Sequence, residues 1–150
     1  MLTDALLQLS SAQTVTASAV STNTVDLSQA RDLGPGNGLY VAITVDEAAT
    51  AAGAATVNFQ VITSAAANLG SPTIIGQTDA IGKAELTLGR KAIVVPIPLA
   101  VLLAQPIGQR YLGVQYTVGT GPLTAGKFSA AIVDADISVN KNYPSGFSVV

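Results

Sequence analysis

Residues 110–136 read RYLGVQYTVGTGPLTAGKFSAAIVDAD, and the fold turns on how this stretch is understood. Leu112, Val114, Tyr116 and Val118 share one face of an extended chain, with Gly113, Gln115 and Thr117 on the other. Beyond the loop GTGPLTAG, Phe128, Ala130 and Ile132 resume the same period of two. Alternation of this length, broken by Gly/Pro/Thr turn chemistry, predicts a half-buried antiparallel pair: a strand over 110–118 and a second over 127–136.

The chain upstream has the same pattern. Leu39–Val45 places Val41, Ile43 and Val45 on one face, DEAATAAGAAT reads as a small-residue loop, and Val57, Phe59 and Val61 alternate again. This strand–loop–strand unit resembles 110–136 in shape but shares no sequence period with it, so it is not a repeat. Ser71–Thr78 reads as a short strand, and residues 79–91 hold two turns. Ile93, Val95 and Ile97 alternate with Pro96 and Pro98 on the opposite phase, which marks an edge strand because proline cannot donate to a ladder. Leu99–Ile107 fits either a bent strand or a helical turn. Ser10–Asp26 is rich in Ser, Thr, Ala and Val, which suits an edge or an arm. Leu27–Gly38 is a turn-rich loop. About seven or eight short strands with Gly/Pro/Asn turns predict one all-β domain over residues 1–150, a jelly-roll-like β-sandwich with Greek-key connections.

Two segments stand outside that frame. In residues 1–9, Leu2, Ala5, Leu6 and Leu9 fall at helical spacing behind Thr3 or Asp4 as a cap, giving a short helix or arm. It either covers the domain's own core or lies on a neighbour. The tail, residues 140–150, carries Tyr143 and Phe147 around a Pro-Ser-Gly turn and ends apolar. Leu2, Leu6, Leu9, Tyr143 and Phe147 are the candidate interface residues, with docking inside the chain as the alternative for all five.

Charge is scarce. Charged residues make up 11% of the 150-residue chain against a typical ~25%, so small neutral side chains must cover much of the surface. Few charges hold such a surface apart from others, which predicts a chain packed against itself or a partner. Seven scattered basic residues and a net charge of −2 form no stripe to neutralise phosphates, which argues against nucleic acid. Without Cys or His the chain has neither a disulfide framework nor the commonest general base and metal ligand. The N-terminus has no basic n-region, so no secretory signal is expected. The most apolar run, Ala92–Ala104, holds two prolines and falls short of the ~20 residues of a membrane helix. The expectation is a soluble protein made in the cytosol, with no membrane and no cofactor.

Three motifs invite chemistry. Gly121–Lys127 satisfies G-x-x-x-x-G-K, but Phe128 stands where a phosphate loop requires Ser or Thr, and a strand pattern follows where a helix is needed. The glycines at 34, 36 and 38 precede a strand, so they make a turn and not a dinucleotide fingerprint. Asp134 and Asp136 share one face at a strand end and could hold a divalent cation or act as an acid–base pair if further ligands converged. Asp46, Glu47 and Asp79 cannot be placed beside them from sequence, and a solvated strand end is the simpler account. With no His or Cys a nucleophile has no partner to activate it, so no enzyme is expected and no catalytic, cofactor or metal residue is assigned.

The stretches YLGVQYTVGTGPLTAGKFSAAIVDAD, LYVAITVDEA and LGSPTIIGQTDAI, with the opening MLTDALLQLSSAQ and the late Asn-Tyr-Pro, resemble the capsid cement (decoration) proteins of tailed bacteriophages of the Bordetella-phage type. The resemblance runs along the whole chain and rests on the joint order of these stretches. It implies a jelly-roll-like sandwich that forms a homodimer on the outside of an HK97-type head. There it would sit across joints between major capsid protein subunits and stabilise the head against DNA pressure, placing the protein in the virion. Two other classes compete: a carbohydrate-binding or tail-associated receptor-binding module, and a hydrolase using Asp134 and Asp136. The first favours exposed aromatics as stacking platforms, and this chain has no Trp.

Overall fold

A computed structural model describes residues 4–28, 38–97 and 109–134. Ten strands follow in order among these residues: β1 (Gln8–Thr14), β2 (Ala19–Val20), β3 (Val25–Asp26), β4 (Leu39–Thr50), β5 (Thr56–Ser64), β6 (Thr73–Gln77), β7 (Ile81–Gly82), β8 (Ile93–Ile97), β9 (Tyr111–Gly119) and β10 (Ala125–Val133). They build two antiparallel sheets, β1-β10-β4-β8 and β2-β9-β5-β6, with β3 also on β9 and β7 also on β5. The all-β sandwich expected from the alternation is present.

The pairing within it is not the expected one. The strands of 110–136, β9 and β10, lie in opposite sheets and do not pair with each other. β9 pairs with β5 from Thr56↔Gly119 to Ser64↔Tyr111, while β10 pairs with β4 from Ala125↔Thr50 to Val133↔Tyr40. The upstream unit behaves the same way, with β4 in one sheet and β5 in the other. Each unit is therefore an arch that crosses the sandwich, and the two arches stack to form its centre. Their inner faces meet. Val41, Ile43, Val57, Phe59, Val61, Leu112, Val114, Tyr116, Phe128 and Ala130 are each at most 1% exposed.

An aromatic cluster locks the centre. Phe59 stands edge-on to both Tyr116 and Phe128, at centroid distances of 5.8 and 5.3 Å, and Tyr116 stacks on Phe128 at 5.9 Å. Such pairs add about 0.5–1.5 kcal/mol each beyond area burial. The Tyr116 hydroxyl would be costly here without a partner. It lies 2.6 Å from Ser10 Oγ, which also donates to the Phe128 carbonyl at 3.4 Å, so β1, β9 and β10 are joined across the sandwich. Burial raises the Tyr116 pKa to about 12.

On the outer side of the β9 sheet, Gly113 makes a space filled by the 2%-exposed Leu69 from the loop after β5; a Cβ at 113 would come within 2.4 Å of Leu69 Cδ1. Among the described strands, four sheet edges are blunted against strand addition. β1 has two register shifts, β8 carries Pro96, the β5–β6 pairing shifts between Val61 and Ile62, and β2 and β3 are two-residue pieces. Pro96 sits on an edge as the sequence predicts.

Two boundaries are corrected. β4 runs on to Thr50, so Asp46–Thr50 belongs to a strand and not to the loop, because Asp46 and Glu47 find partners there: Ser129 Oγ at 2.6 Å and Lys127 Nζ at 2.8 Å. The helical spacing at the N-terminus yields only a 3-10 turn at Ala5–Leu7, after which Gln8 pairs with Ala131 and the chain is already sheet. Leu99–Ile107 and most of the loop at 27–38 lie outside the described residues.

Candidate functional site

The sandwich has two unlike ends. At the arch end the chain turns tightly, through residues 15–18, 51–55 and 120–124. Thr120 and Gly121 turn the second arch with φ of 58° and 98°. Backbone bonds tie these turns to their neighbours: Thr124 N–H donates to Thr50 O at 2.7 Å, Leu123 N–H to Thr16 O at 2.9 Å, and Ala49 N–H to Leu86 O at 2.9 Å. The Lys83 ammonium adds a bond to the Ala51 carbonyl. Val15, Ala55 and Leu123, one from each of these turns, and Leu86 from the link between β7 and β8 close the core there at 0–3% exposure.

At the opposite, open end lie the 3-10 turn, the start of β4 and the ends of β5, β8 and β10. Segments 29–37, 98–108 and 135–150 attach to the described chain here. Among the described residues Leu7, Val25 and Leu39 pack partly buried against the core here, as Val45, Ala51, Ile81 and Val118 do towards the arch end. Arg110 clamps β3 to β9, its Nε and Nη2 donating to the two Asp26 carboxylate oxygens at 2.7 and 2.8 Å, with the guanidinium 5.1 Å over the Tyr111 ring. That bidentate bond, helped by the Ser28 N–H, holds the Asp26 pKa down to about 2 and raises that of Arg110.

The candidate interface residues divide between three places. Leu9 faces inward from β1 at 0% exposure and belongs to the domain's own core, so the arm ends before it. A nine-residue arm is thereby corrected to a short turn, because strand pairing fixes the chain from Gln8 onward. Leu6 stands on that turn at 84% exposure, held up by Asp4, whose carboxylate accepts the Leu6 N–H at 2.9 Å. Leu2, Tyr143 and Phe147 lie outside the described residues. Asp4 and Leu7 of the same turn help line an open cavity of about 230 Å³, together with Leu39, Ile132, Val133 and Asp134. Nothing in the sequence marks Asp4 and Asp134 as neighbours, since 130 positions separate them and only the fold joins β10 to the first turn.

The motifs with chemical promise resolve as structure. In Gly121–Lys127, Gly121 turns the arch, Gly126 and Lys127 already belong to β10, and Lys127 is paired with Glu47, whose carboxylate raises the lysine pKa. Asp134 is exposed at the end of β10, and Asp136 lies outside the described residues. Glu47 is roughly 20 Å away, seven residues back along the strand at ~3.3 Å each from its partner Lys127. Among the described residues no three acidic side chains gather as a metal site requires. Phe59, Tyr116 and Phe128 are committed to the core, which removes three of the aromatics that a sugar-stacking platform would need. No described helix is long and apolar enough to cross a membrane.

No curated protein matches the chain. A family model does, over residues 9–132, a span that begins at the first core residue of β1 and ends one residue short of the end of β10. It takes in the arches and both sheets and leaves out the first turn and the tail. The chain belongs to the Bbp16 family, which is named for a Bordetella phage protein.

Proposed function

We propose that this protein is a capsid cement: a structural virion protein that binds the outer surface of an icosahedral phage head across joints between major capsid protein subunits and stabilises it against internal pressure. Membership of the Bbp16 family over residues 9–132 carries the reading, since it places the whole sandwich among phage-type proteins. The sparse charge and the exposed Leu6 at the open end agree with a chain made to be covered. The homodimer is part of the same proposal. With four edges blunted, its contact would be made by faces or terminal segments and not by continuing a sheet.

The physical basis is binding linkage. A ligand that binds the intact shell and not the ruptured one stabilises it by RT ln(1 + [L]/Kd), about 2.7 kcal/mol per site at a hundredfold excess over Kd. A dimer spanning two capsomers turns its second contact into an intramolecular one, so modest contacts suffice. Few charges are available, so salt should change the total little.

The test is to mix purified protein with heads that lack it, sediment them and quantify what co-sediments. Saturation at a fixed ratio to the shell protein, with a raised rupture temperature, is the expected result. No co-sedimentation at any salt would remove the capsid reading.

A further inference from the structure

We infer that the cavity at the open end is a socket for one basic side chain, lysine or arginine, presented by a protein partner. Its volume decides the class of occupant. At about 230 Å³ it lies below the ~300–1,000 Å³ of small-molecule sites, so it suits a single side chain. The composition of its lining decides which one. Leu7, Leu39, Ile132 and Val133 form an apolar wall, and Asp4 and Asp134 supply two carboxylates. Lysine and arginine bury an aliphatic stem along apolar surface while keeping the charged head at the water boundary, and this lining matches both parts.

Four of the described cations are engaged elsewhere. Arg110 is on Asp26, Lys127 on Glu47, Arg90 on Glu85 and Lys83 on the Ala51 carbonyl. An acidic side chain would meet like charge, and a purely apolar one would cover carboxylates without pairing them. Asp4 is held in place by its bond to the Leu6 N–H, so it is positioned before any partner arrives. The inference does not depend on the partner being a phage shell. It also adds one salt-sensitive contact to an interface otherwise poor in charge.

The test is an NMR titration of the ¹⁵N-labelled full chain at low salt with acetyl-Gly-Arg-Gly-amide, alongside the same peptide carrying norleucine or glutamate. Saturable shifts confined to the amides of Leu7, Leu39, Val133 and Asp134 are expected with arginine, weaker ones with norleucine and none with glutamate. Asp4→Asn keeps a capping side chain at position 4. Combined with Asp134→Asn it should weaken the arginine peptide roughly fivefold while leaving the rest of the spectrum unchanged. Equal response to norleucine, or indifference to the double substitution, would overturn the socket. So would binding that appears only after Arg31→Gln and Lys141→Gln, which would make the occupant one of the chain's own cations. A negative result here leaves co-sedimentation with heads unaffected, so the two proposals fail separately.

Discussion

The arch end and the open end of this sandwich use the same kinds of residue for different purposes. At the arch end, leucines 86 and 123 are 0% and 3% exposed and the turns bond to their neighbours, although Leu88 just beyond Leu86 is 65% exposed. At the open end, Leu6 is raised 84% into solvent on a capped turn, and Leu7 and Leu39 line a cavity. Three of the chain's longer segments attach at that end, whereas the turns at 15–18, 51–55 and 120–124 are short. A tightly bonded end contributes stability; an end that combines an exposed leucine with a cavity is equipped to contact something else. The division of labour predicts that substitutions separate into those that unfold the protein and those that only change what it binds.

The largest expected effect is in the arch centre. Phe128→Ala removes the ring that Phe59 and Tyr116 both contact and should cost about 3–5 kcal/mol in urea unfolding. A loss under 1 kcal/mol would mean that the arches are not the stabilising unit. Next, the buried Tyr116 should make stability fall steeply in alkali. Its folded pKa of about 12 lies above the unfolded value near 10, so the contribution is complete below pH 10 and is lost as pH rises towards 12. The size is on the order of 2–3 kcal/mol. Tyr116→Phe should flatten that limb of the pH profile.

Gly113→Ala should cost about 1–3 kcal/mol by overpacking against Leu69. In Leu69→Ala, where the space is open, the same change should cost much less, and strict additivity of the two would contradict this packing. At the open end Asp26 acts in the opposite sense to Tyr116. Its folded pKa is depressed, so its contribution is present above pH 4 and is lost as pH falls towards 2. Asp26 and Arg110 are exposed, so this acid limb should be shallow and weaken with salt. Smallest of all, Leu6→Ser should leave unfolding within about 0.5 kcal/mol of the parent while reducing binding to heads.

The strands were legible in the sequence and their partners were not. The alternation in 112–118 and 128–132 names the buried faces correctly, because period two reports which side of a strand faces the core. It says nothing of which sheet the strand joins. A short loop between two alternating strands serves a hairpin or an arch equally well, and the backbone at Thr120 and Gly121 that turns this arch has no signature in composition. Asp46 and Glu47 hid the second half of β4, since charges in a small-residue run resemble a loop until Ser129 and Lys127 are seen opposite them. Leu9 takes the alternative reading, docked in the chain's own core, and its helical spacing arose because a turn followed by a strand can imitate that period over nine residues. Leu6 was identifiable as apolar and N-terminal, but the cavity lined by Asp4 and Leu7 exists only once β10 has returned to the first turn.

We propose that the open end meets the partner and the arch end faces away. Because the chain has no cysteine, single thiols can be placed at either end: Ala5→Cys on the first turn and Ala54→Cys on the first arch, both exposed positions. Each would be reacted with a maleimide in free protein and again after saturating heads that lack the protein. The expected result is at least tenfold protection at Cys in place of Ala5, with unchanged labelling at the arch, for the roughly 1.4 kcal/mol per decade that burial readily exceeds. Protection at the arch instead, or none at either end in protein that has co-sedimented, would contradict the account.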